Sequence, residues 1–163
     1  MRDEKQIERK QAKDPFDRVI KLRGHFKAIL YDRDGNYKTH VERKNVITTN
    51  GLEWLASFIH SASTSASFTM HYMAIGTNST AETNSDTALG TEDARHTGTV
   101  SYTSGGIFNV VATFAAGSGT GDITEYGIFS SNTGGTMLNR TTQSAVAKGA
   151  SDSLEVTANI TLS

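Results

Sequence analysis

The chain has 163 residues, enough for one domain with an appendage, and it contains no cysteine, which excludes disulfides, thiolate metal sites and cysteine nucleophiles. Its net charge of −1 conceals an asymmetry, because residues 1–45 hold 13 of the 16 Lys and Arg residues. No apolar run approaches the roughly 20 residues of a membrane span. The charged N-terminus also lacks the apolar core of a signal peptide. We therefore expect a protein that is assembled in the cytoplasm and has no membrane partner.

Residues 1–22 predict an extended, charged N-terminal arm. The segment from Met1 to Asp14 has too few apolar side chains to bury itself, and Pro15 disfavours helix in the residue before it. Carboxylates interrupt the basic residues and would repel phosphates, so the arm favours docking to a protein over direct contact with nucleic acid. The side chains that we expect to contact a partner are Arg2, Lys5, Arg9, Lys10, Lys13, Phe16 and Arg18.

Residues 23–163 predict a mainly β body that starts with a hairpin. His25 to Tyr31 alternates apolar and polar positions, and Tyr37 to Arg43 returns as its partner strand. Asp34-Gly35 between them is a pair typical of two-residue hairpin turns. Asp32 and Asp34 lack the further ligands of a calcium loop, so we expect no metal there.

A buried helix is predicted over residues 50–60. Asn50 stands at the expected N-cap, and Glu53 three residues later completes a capping-box pattern. Apolar side chains cover most of the helix surface, which predicts packing against a sheet. The expected core residues of this helix are Leu52, Trp54, Leu55, Phe58 and Ile59.

Further short strands are predicted along the rest of the chain, after a Ser/Thr/Ala-rich linker over residues 61–69. They are Met70 to Ile75, Val100 to Tyr102, Ile107 to Ala115, Ile123 to Ser130, Met137 to Thr141 and a last strand in which Leu154, Val156 and Ile160 are expected core residues. Residues 76–96 show no periodicity and are long enough to predict a contact-making loop. The glycine-rich segment from Gly117 to Gly121 predicts a hairpin loop. Together these elements predict an antiparallel β-sandwich or jelly-roll-like body.

The sequence gives no pattern typical of catalysis. The five histidines lack metal-ligand spacing, and no G-x-S-x-G motif marks a serine nucleophile. We therefore expect neither an enzyme nor a bound cofactor or metal. Glu125 shares a strand face with apolar residues, so it predicts a structural ion pair with Arg95 or Arg140.

A set of short patterns resembles small virion structural proteins of tailed bacteriophages. The patterns are Asn45-Val46-Ile47-Thr48, Gly51-Leu52, Leu55-Ala56, Met73-Ala74-Ile75-Gly76-Thr77, Asp86-Thr87-Ala88-Leu89 with Glu92, Glu125-Tyr126-Gly127-Ile128-Phe129 and Gly134-Gly135-Thr136-Met137-Leu138-Asn139-Arg140. Together with the final alternating strand, they span residues 45–163 and leave the arm outside the shared part. Proteins of this group are similar to capsid decoration (cement) proteins and to small tail components.

The resemblance implies a cement protein on the outer surface of the phage head. Its partners would be the major capsid protein and copies of itself, most simply as a homotrimer. Two alternatives stay open at this point. One is a tail or fibre-base subunit. The other is a carbohydrate-binding β-sandwich that uses Trp54 and the tyrosines as stacking platforms.

Overall fold

The computed structural model of the chain describes residues 21–60 and 70–163, without the side chains of residues 58–60. The predicted arm contacts from Arg2 to Arg18 and the predicted linker 61–69 therefore lie outside the described residues. None of the helices in the described part is both long enough and apolar enough to cross a membrane.

The described residues form one nine-stranded antiparallel sheet and one helix. The elements in chain order are β1 (Leu22–Tyr31), β2 (Tyr37–Ile47), α1 (Thr49–His60), β3 (Tyr72–Gly76), β4 (Glu92–Thr97), β5 (Thr99–Thr103), β6 (Ile107–Phe114), β7 (Gly121–Phe129), β8 (Met137–Lys148) and β9 (Ser153–Leu162). Their order across the sheet is β4-β3-β7-β8-β2-β1-β9-β6-β5, and the sheet is nearly closed into a barrel. The prediction of a mainly β, antiparallel body is confirmed. A sandwich or jelly roll is not confirmed by this strand order.

The first hairpin is built by local hydrogen bonding. The Asp32 carboxylate accepts the backbone N–H groups of Asp34 and Asn36, and Gly35 supplies the left-handed conformation with φ of 82°. The predicted hairpin between β1 and β2 is confirmed. Strand β1 begins at Leu22, one residue before the predicted start of the body, and Lys21 already exchanges backbone hydrogen bonds with Ser163.

The core lies on the inner face of the curved sheet. In β9 the alternation of the sequence is reproduced, because Leu154, Val156 and Ile160 are completely buried. Phe26 on β1 and Phe114 on β6 are buried beside them. Period-two patterning therefore places one face of these central strands in the core and leaves the other face polar.

Strand β2 joins the two halves of the sheet. It pairs with β1 up to Asn45, opposite Gly24, and then leaves β1 to pair with β8 through Val46 and Ile47. Beyond Gly24, β1 continues with β9 as its only partner among the described strands. The two strands therefore separate in a fork at this end of the sheet.

The prediction of a buried helix is wrong for the described side chains. Leu52 is 48% exposed, and Trp54 and Leu55 are only partly buried, with Trp54 packed at the margin of the core. The side chains of Phe58 and Ile59 lie outside the described set. The N-cap is Thr48 rather than Asn50, since the Thr48 hydroxyl oxygen accepts the Gly51 N–H at 3.0 Å. The helix packs on β8 along one narrow side. Gly51 allows this close approach, because a Cβ at this position would collide with the backbone of Leu138.

The glycine-rich segment Gly117–Gly121 is not a hairpin loop. It connects β6 to β7, but these two strands do not pair with each other: β6 pairs with β9 and β5, and β7 pairs with β3 and β8. They lie on opposite sides of the barrel seam, where the two ends of the strand order approach each other. The sequence pattern identifies a turn correctly, since Gly117 and Gly119 both have positive φ. The pattern does not show whether the strands on either side of the turn pair with each other.

Candidate functional site

The loop between β3 and β4, residues 77–91, lies over strands β7 and β8. It is held there by a buried ion-pair cluster that consists of Asp86, Glu125 and Arg140. Glu125 is completely buried on β7 and Arg140 is 3% exposed on β8, where β-pairing sets their strands side by side. The cluster links the longest connection of the described body to the middle of the sheet.

Glu125 is fully hydrogen-bonded inside the protein. Its carboxylate accepts two bonds from Arg140, from Nε at 3.0 Å and from Nη2 at 2.9 Å. It also accepts the backbone N–H groups of Asn78, Gly90 and Thr91 at 3.3, 2.8 and 2.7 Å. These bonds compensate for the cost of burying a carboxylate. The predicted ion pair of Glu125 is thus present with Arg140. Arg95 instead pairs with Glu92 at 2.6 Å.

Arg140 extends the cluster to Asp86 in the loop. Its Nη1 donates to Asp86 Oδ2 at 2.8 Å, and its Nη2 donates to the carbonyl oxygen of Thr80 at 3.1 Å. Burial opposes the negative charge of Asp86. Hydrogen bonds from Thr83 and Arg140 outweigh that effect and hold the pKa of Asp86 below its ordinary value. The loop is therefore tied to the sheet by charge-assisted bonds in the ionised state of the cluster.

Glu82 forms a second anchor for the same loop. It accepts the Thr142 hydroxyl at 2.6 Å and lies 3.6 Å from an Arg43 nitrogen. Burial opposes its charge, but the hydrogen bond from Thr142 and the nearby Arg43 cation leave its pKa below the ordinary value. A third tie joins the carbonyl of Asn84 to the N–H of Thr49 at the start of α1. The loop is consequently fixed against β7, β8 and the helix.

The cluster holds the loop 77–91 in position over the sheet. The polar atoms of Glu125 and Arg140 are occupied by each other and by the loop, so they hold the loop in place. Among the described residues, no group of three or more His, Asp or Glu side chains could hold a metal ion. The loop itself presents small exposed residues to solvent, including Ser79, Ala81 and Thr87.

A basic cleft opens at the fork between β1 and β2. It encloses about 500 Å³ and is lined by Leu22, Arg23, Gly24, His25, Lys44, Asn45, Ile47, Asn159 and Thr161. Arg23 and Lys44 are exposed, and His25 lies directly opposite Lys44 in the pairing of β1 with β2. This combination of cations with apolar floor residues suits an acidic, partly apolar segment of another protein.

A His–Ser contact closes the seam of the barrel. His96 on β4 lies 2.7 Å from the Ser118 hydroxyl in the loop that follows β6, and its ring packs edge-on to Phe114 at 4.9 Å. In the described part of the chain no carboxylate contacts the His96 ring, so the orienting acid of a Ser–His–acid triad is missing. The pair joins β4 to the β6 side of the barrel.

Sequence reasoning predicted an ion pair of Glu125 with Arg95 or Arg140 but missed Asp86 and Glu82 as anchors of the loop. Both lie in a loop without periodicity, and only the fold brings them to β8. The arm residues expected to contact a partner fall outside the described residues, and the basic cleft was not anticipated. The sequence does show that Arg23 and Lys44 are basic. It does not show that they lie close together, because this depends on the pairing of β1 with β2. The chain matches no protein-family model, no curated protein and no solved structure.

Proposed function

We propose that the chain is a non-enzymatic decoration (cement) protein of a tailed-bacteriophage head. In this proposal the body sits on the outer surface of the capsid, copies of it cluster, most simply as trimers, and the charged arm runs over neighbouring capsid subunits. The major capsid protein is then the partner. Many weak contacts repeated over the particle stabilise the shell through multivalency.

The observation that carries the proposal is that the patterns of the phage resemblance contact one another in space. Asp86 accepts a hydrogen bond from Arg140. The two residues belong to different patterns and are 54 positions apart in the sequence. Leu89 packs against Gly127, and a Cβ at Gly76 would lie 2.6 Å from the Glu125 carboxylate. The scattered patterns therefore describe one connected part of the molecule, as expected when a resemblance reflects a shared structural unit.

The start of the helix belongs to the same unit. The Thr48 hydroxyl donates to the carbonyl oxygen of Met137 at 2.5 Å, and Gly51 lies directly against Leu138. These residues also come from separate patterns. The unit thus extends from the end of β2, through the beginning of α1, to β8. This supports an origin in the same group of virion proteins, within which head and tail components share the patterns.

The surfaces of the body fit a role in protein contact. The loop 77–91 is held to β8 by ion pairs and hydrogen bonds of Asp86 and Glu82. The basic cleft with Arg23 and Lys44 lies at the end of the body where the arm joins at Lys21. Positive charge in the arm and the cleft favours an acidic surface on the partner. A carbohydrate platform receives less support, because Trp54 packs partly against the core.

The location of the chain in the particle tests the proposal. Heads and tails from virions of the phage that encodes the chain would be separated, and each fraction quantified by mass spectrometry. We expect the chain in the head fraction, in many copies relative to the portal. Recovery in the tail fraction alone would support the tail or fibre-base alternative and contradict the decoration role.

Binding to the head surface is the second part of the test. Purified protein would be added to heads that lack it, and occupancy would be measured by sedimentation and by cryo-electron microscopy. We expect density on the outer face of the capsid and greater resistance of the heads to heat. Density inside the shell or no gain in resistance would contradict the proposal.

A further inference from the structure

The basic cleft at the fork between β1 and β2 carries positive charge that no carboxylate balances. Its described lining residues include Arg23, Lys44 and His25 and contain no Asp or Glu. Within the described part of the chain, neither Arg23 nor Lys44 forms an ion pair. The other arginines of that part each pair with a carboxylate; they are Arg33, Arg43, Arg95 and Arg140. The charge of the cleft is therefore complementary to an acidic partner.

The same cleft contains a polar side chain that lacks hydrogen bonds. Asn45 lies opposite Gly24 and packs against it, which the missing side chain of glycine allows. The nitrogen and the oxygen of its amide are both buried, and neither has a hydrogen-bond partner among the described residues. Buried polar groups of native proteins are nearly always paired with protein, water or a bound molecule. The cleft thus offers one unused donor and one unused acceptor.

The lining of the cleft suits a peptide better than a nucleic acid. Each peptide group has one N–H and one C=O, which complement the oxygen and the nitrogen of the Asn45 amide. Leu22 and Ile47 add apolar surface that can contact an apolar side chain. Bases of single-stranded nucleic acid bind largely by stacking on aromatic rings, and Phe, Tyr and Trp are absent from the described lining. The observations therefore favour an extended protein segment.

We infer that the cleft binds a segment of the partner protein in which apolar and acidic residues stand next to each other. The carboxylates of the segment bind Arg23 and Lys44, its apolar side chain contacts Leu22 and Ile47, and one of its peptide groups bonds to Asn45. The volume of about 500 Å³ is within the range of ordinary ligand sites. The inference deepens the proposed function and rests on it only for the identity of the partner as a capsid subunit.

The cleft is tested with a fluorescein-labelled, amidated peptide Glu-Leu-Glu-Val-Glu and the free full-length protein. Fluorescence anisotropy at low ionic strength should show saturable binding. We expect Arg23→Ala and Lys44→Ala each to weaken it about tenfold, as for the loss of a charge-assisted hydrogen bond. Arg33→Ala, at an exposed arginine outside the cleft, is the control and should bind as the unmodified chain does. Absence of saturable binding, or equal weakening by Arg33→Ala, would overturn the inference.

Two further peptides separate the acidic from the apolar requirement. Gln-Leu-Gln-Val-Gln lacks the carboxylates, and Glu-Ser-Glu-Ser-Glu lacks the apolar side chains. We expect both to bind more weakly than the first peptide. Asn45→Asp, a change of nearly equal size that places a carboxylate in the cleft, should also weaken binding of the first peptide, with circular dichroism as the check that the variant is folded. Equal affinity for the serine peptide would show that charge alone attracts the ligand and would overturn the inference.

Other occupants of the cleft are outcomes of the same assay. The arm of this chain has its own acidic and apolar run, Asp14-Pro15-Phe16-Asp17. If Asp14→Asn combined with Asp17→Asn strengthens peptide binding, the arm competes for the cleft and the inference is overturned; unchanged affinity supports it. Tighter binding of an oligothymidylate than of the peptide would assign the cleft to nucleic acid and overturn it as well. Occupancy on phage heads is measured separately, so failure of the cleft is distinguishable from failure of the decoration role.

Discussion

At the scale of single residues, the ion pair between Glu125 and Arg140 is the most consequential contact of the described body. Both side chains are almost fully removed from water, and each satisfies the other. Removing one partner leaves a buried, uncompensated charge, whereas an exposed pair gains little from its Coulomb attraction. Whether an ion pair is buried or exposed therefore decides how much stability is lost when one partner is removed.

We expect Arg140→Leu to lower the free energy of unfolding by about 3–5 kcal/mol, the usual cost of breaking a buried pair. The loop 77–91 should become sensitive to proteolysis, because Asp86 and Thr80 lose their donor. Arg33→Leu is the control, since Arg33 and Asp34 form an exposed pair with side chains 78% and 69% accessible, and it should cost less than about 1 kcal/mol. Denaturant titration measures both variants. Equal stability of the two would show that the cluster does not hold the loop.

Acid should release the same loop. The pKa values of Asp86 and Glu82 lie below the ordinary values of 3.8 and 4.5 in the folded protein. A lowered folded-state pKa adds stability that is complete above the ordinary value and is lost as the pH falls through the folded value. We therefore expect stability to fall below about pH 4. In Asp86→Asn the fall should be shallower, while Asp122→Asn, at an exposed position, should follow the unmodified chain.

At the scale of elements, α1 shows how packing overrides helix propensity. Gly51 stands in the first turn, and a Cβ there would lie 2.4 Å from the carbonyl oxygen of Leu138. Alanine generally stabilises a helix relative to glycine by about 1 kcal/mol. Here the close approach to β8 reverses that preference, because backbone atoms cannot move aside as a flexible side chain can.

We expect Gly51→Ala to destabilise the protein by about 1–3 kcal/mol, in the range of overpacking. Leu52→Ala, at the exposed neighbouring position, should cost much less. Trp54→Ala should cost about 2 kcal/mol, below the 3–5 kcal/mol typical of a fully buried aromatic, because Trp54 lies at the margin of the core. Thermal melts of the three variants give the ranking. A stabilised Gly51→Ala would show that the helix does not press on β8.

At the scale of the whole molecule, the body and the arm have separable roles in the proposal. The body has a hydrophobic core on the inner face of its barrel, formed by buried residues of β1, β3, β6, β7, β8 and β9. The first residues of the chain, Met1 to Asp14, have little apolar surface to add to it. Folding should therefore depend on the body and attachment to a partner on the arm.

Deleting Met1 to Asp14 should leave the melting temperature unchanged and lower the occupancy of the protein on phage heads. A variant in which Arg9, Lys10 and Lys13 are replaced by Gln keeps the length of the arm and isolates its charge. We expect it to bind heads more weakly than the unmodified chain and with less dependence on salt, because fewer ionic contacts remain for salt to screen. A truncated protein that unfolds, or that decorates heads at full occupancy, would contradict the separation.

The sequence by itself determined the β character of the body, the first hairpin and the buried faces of its most regular strands. These features are local: the alternation of Leu154, Val156 and Ile160 and the turn residues Asp34-Gly35 have the same meaning in any antiparallel sheet. It also predicted an ion pair of Glu125 with Arg95 or Arg140, since a carboxylate on an apolar strand face requires a cation, and the structure selects Arg140. The period-two pattern specifies which side of a strand is buried, but it does not specify the neighbouring strand.

Only the tertiary structure decided how the strands are ordered and which contacts follow from that order. The segment Gly117–Gly121 crosses the barrel seam where the sequence predicted a hairpin, and Asp86 reaches Arg140 from a loop without periodicity. The apolar surface of α1 predicted burial, yet Leu52 is 48% exposed because close packing at Gly51 brings one narrow stripe of the helix to the sheet. The physical reason is common to these cases. Pairing and packing between residues distant in sequence depend on the whole arrangement of strands, which no local pattern contains.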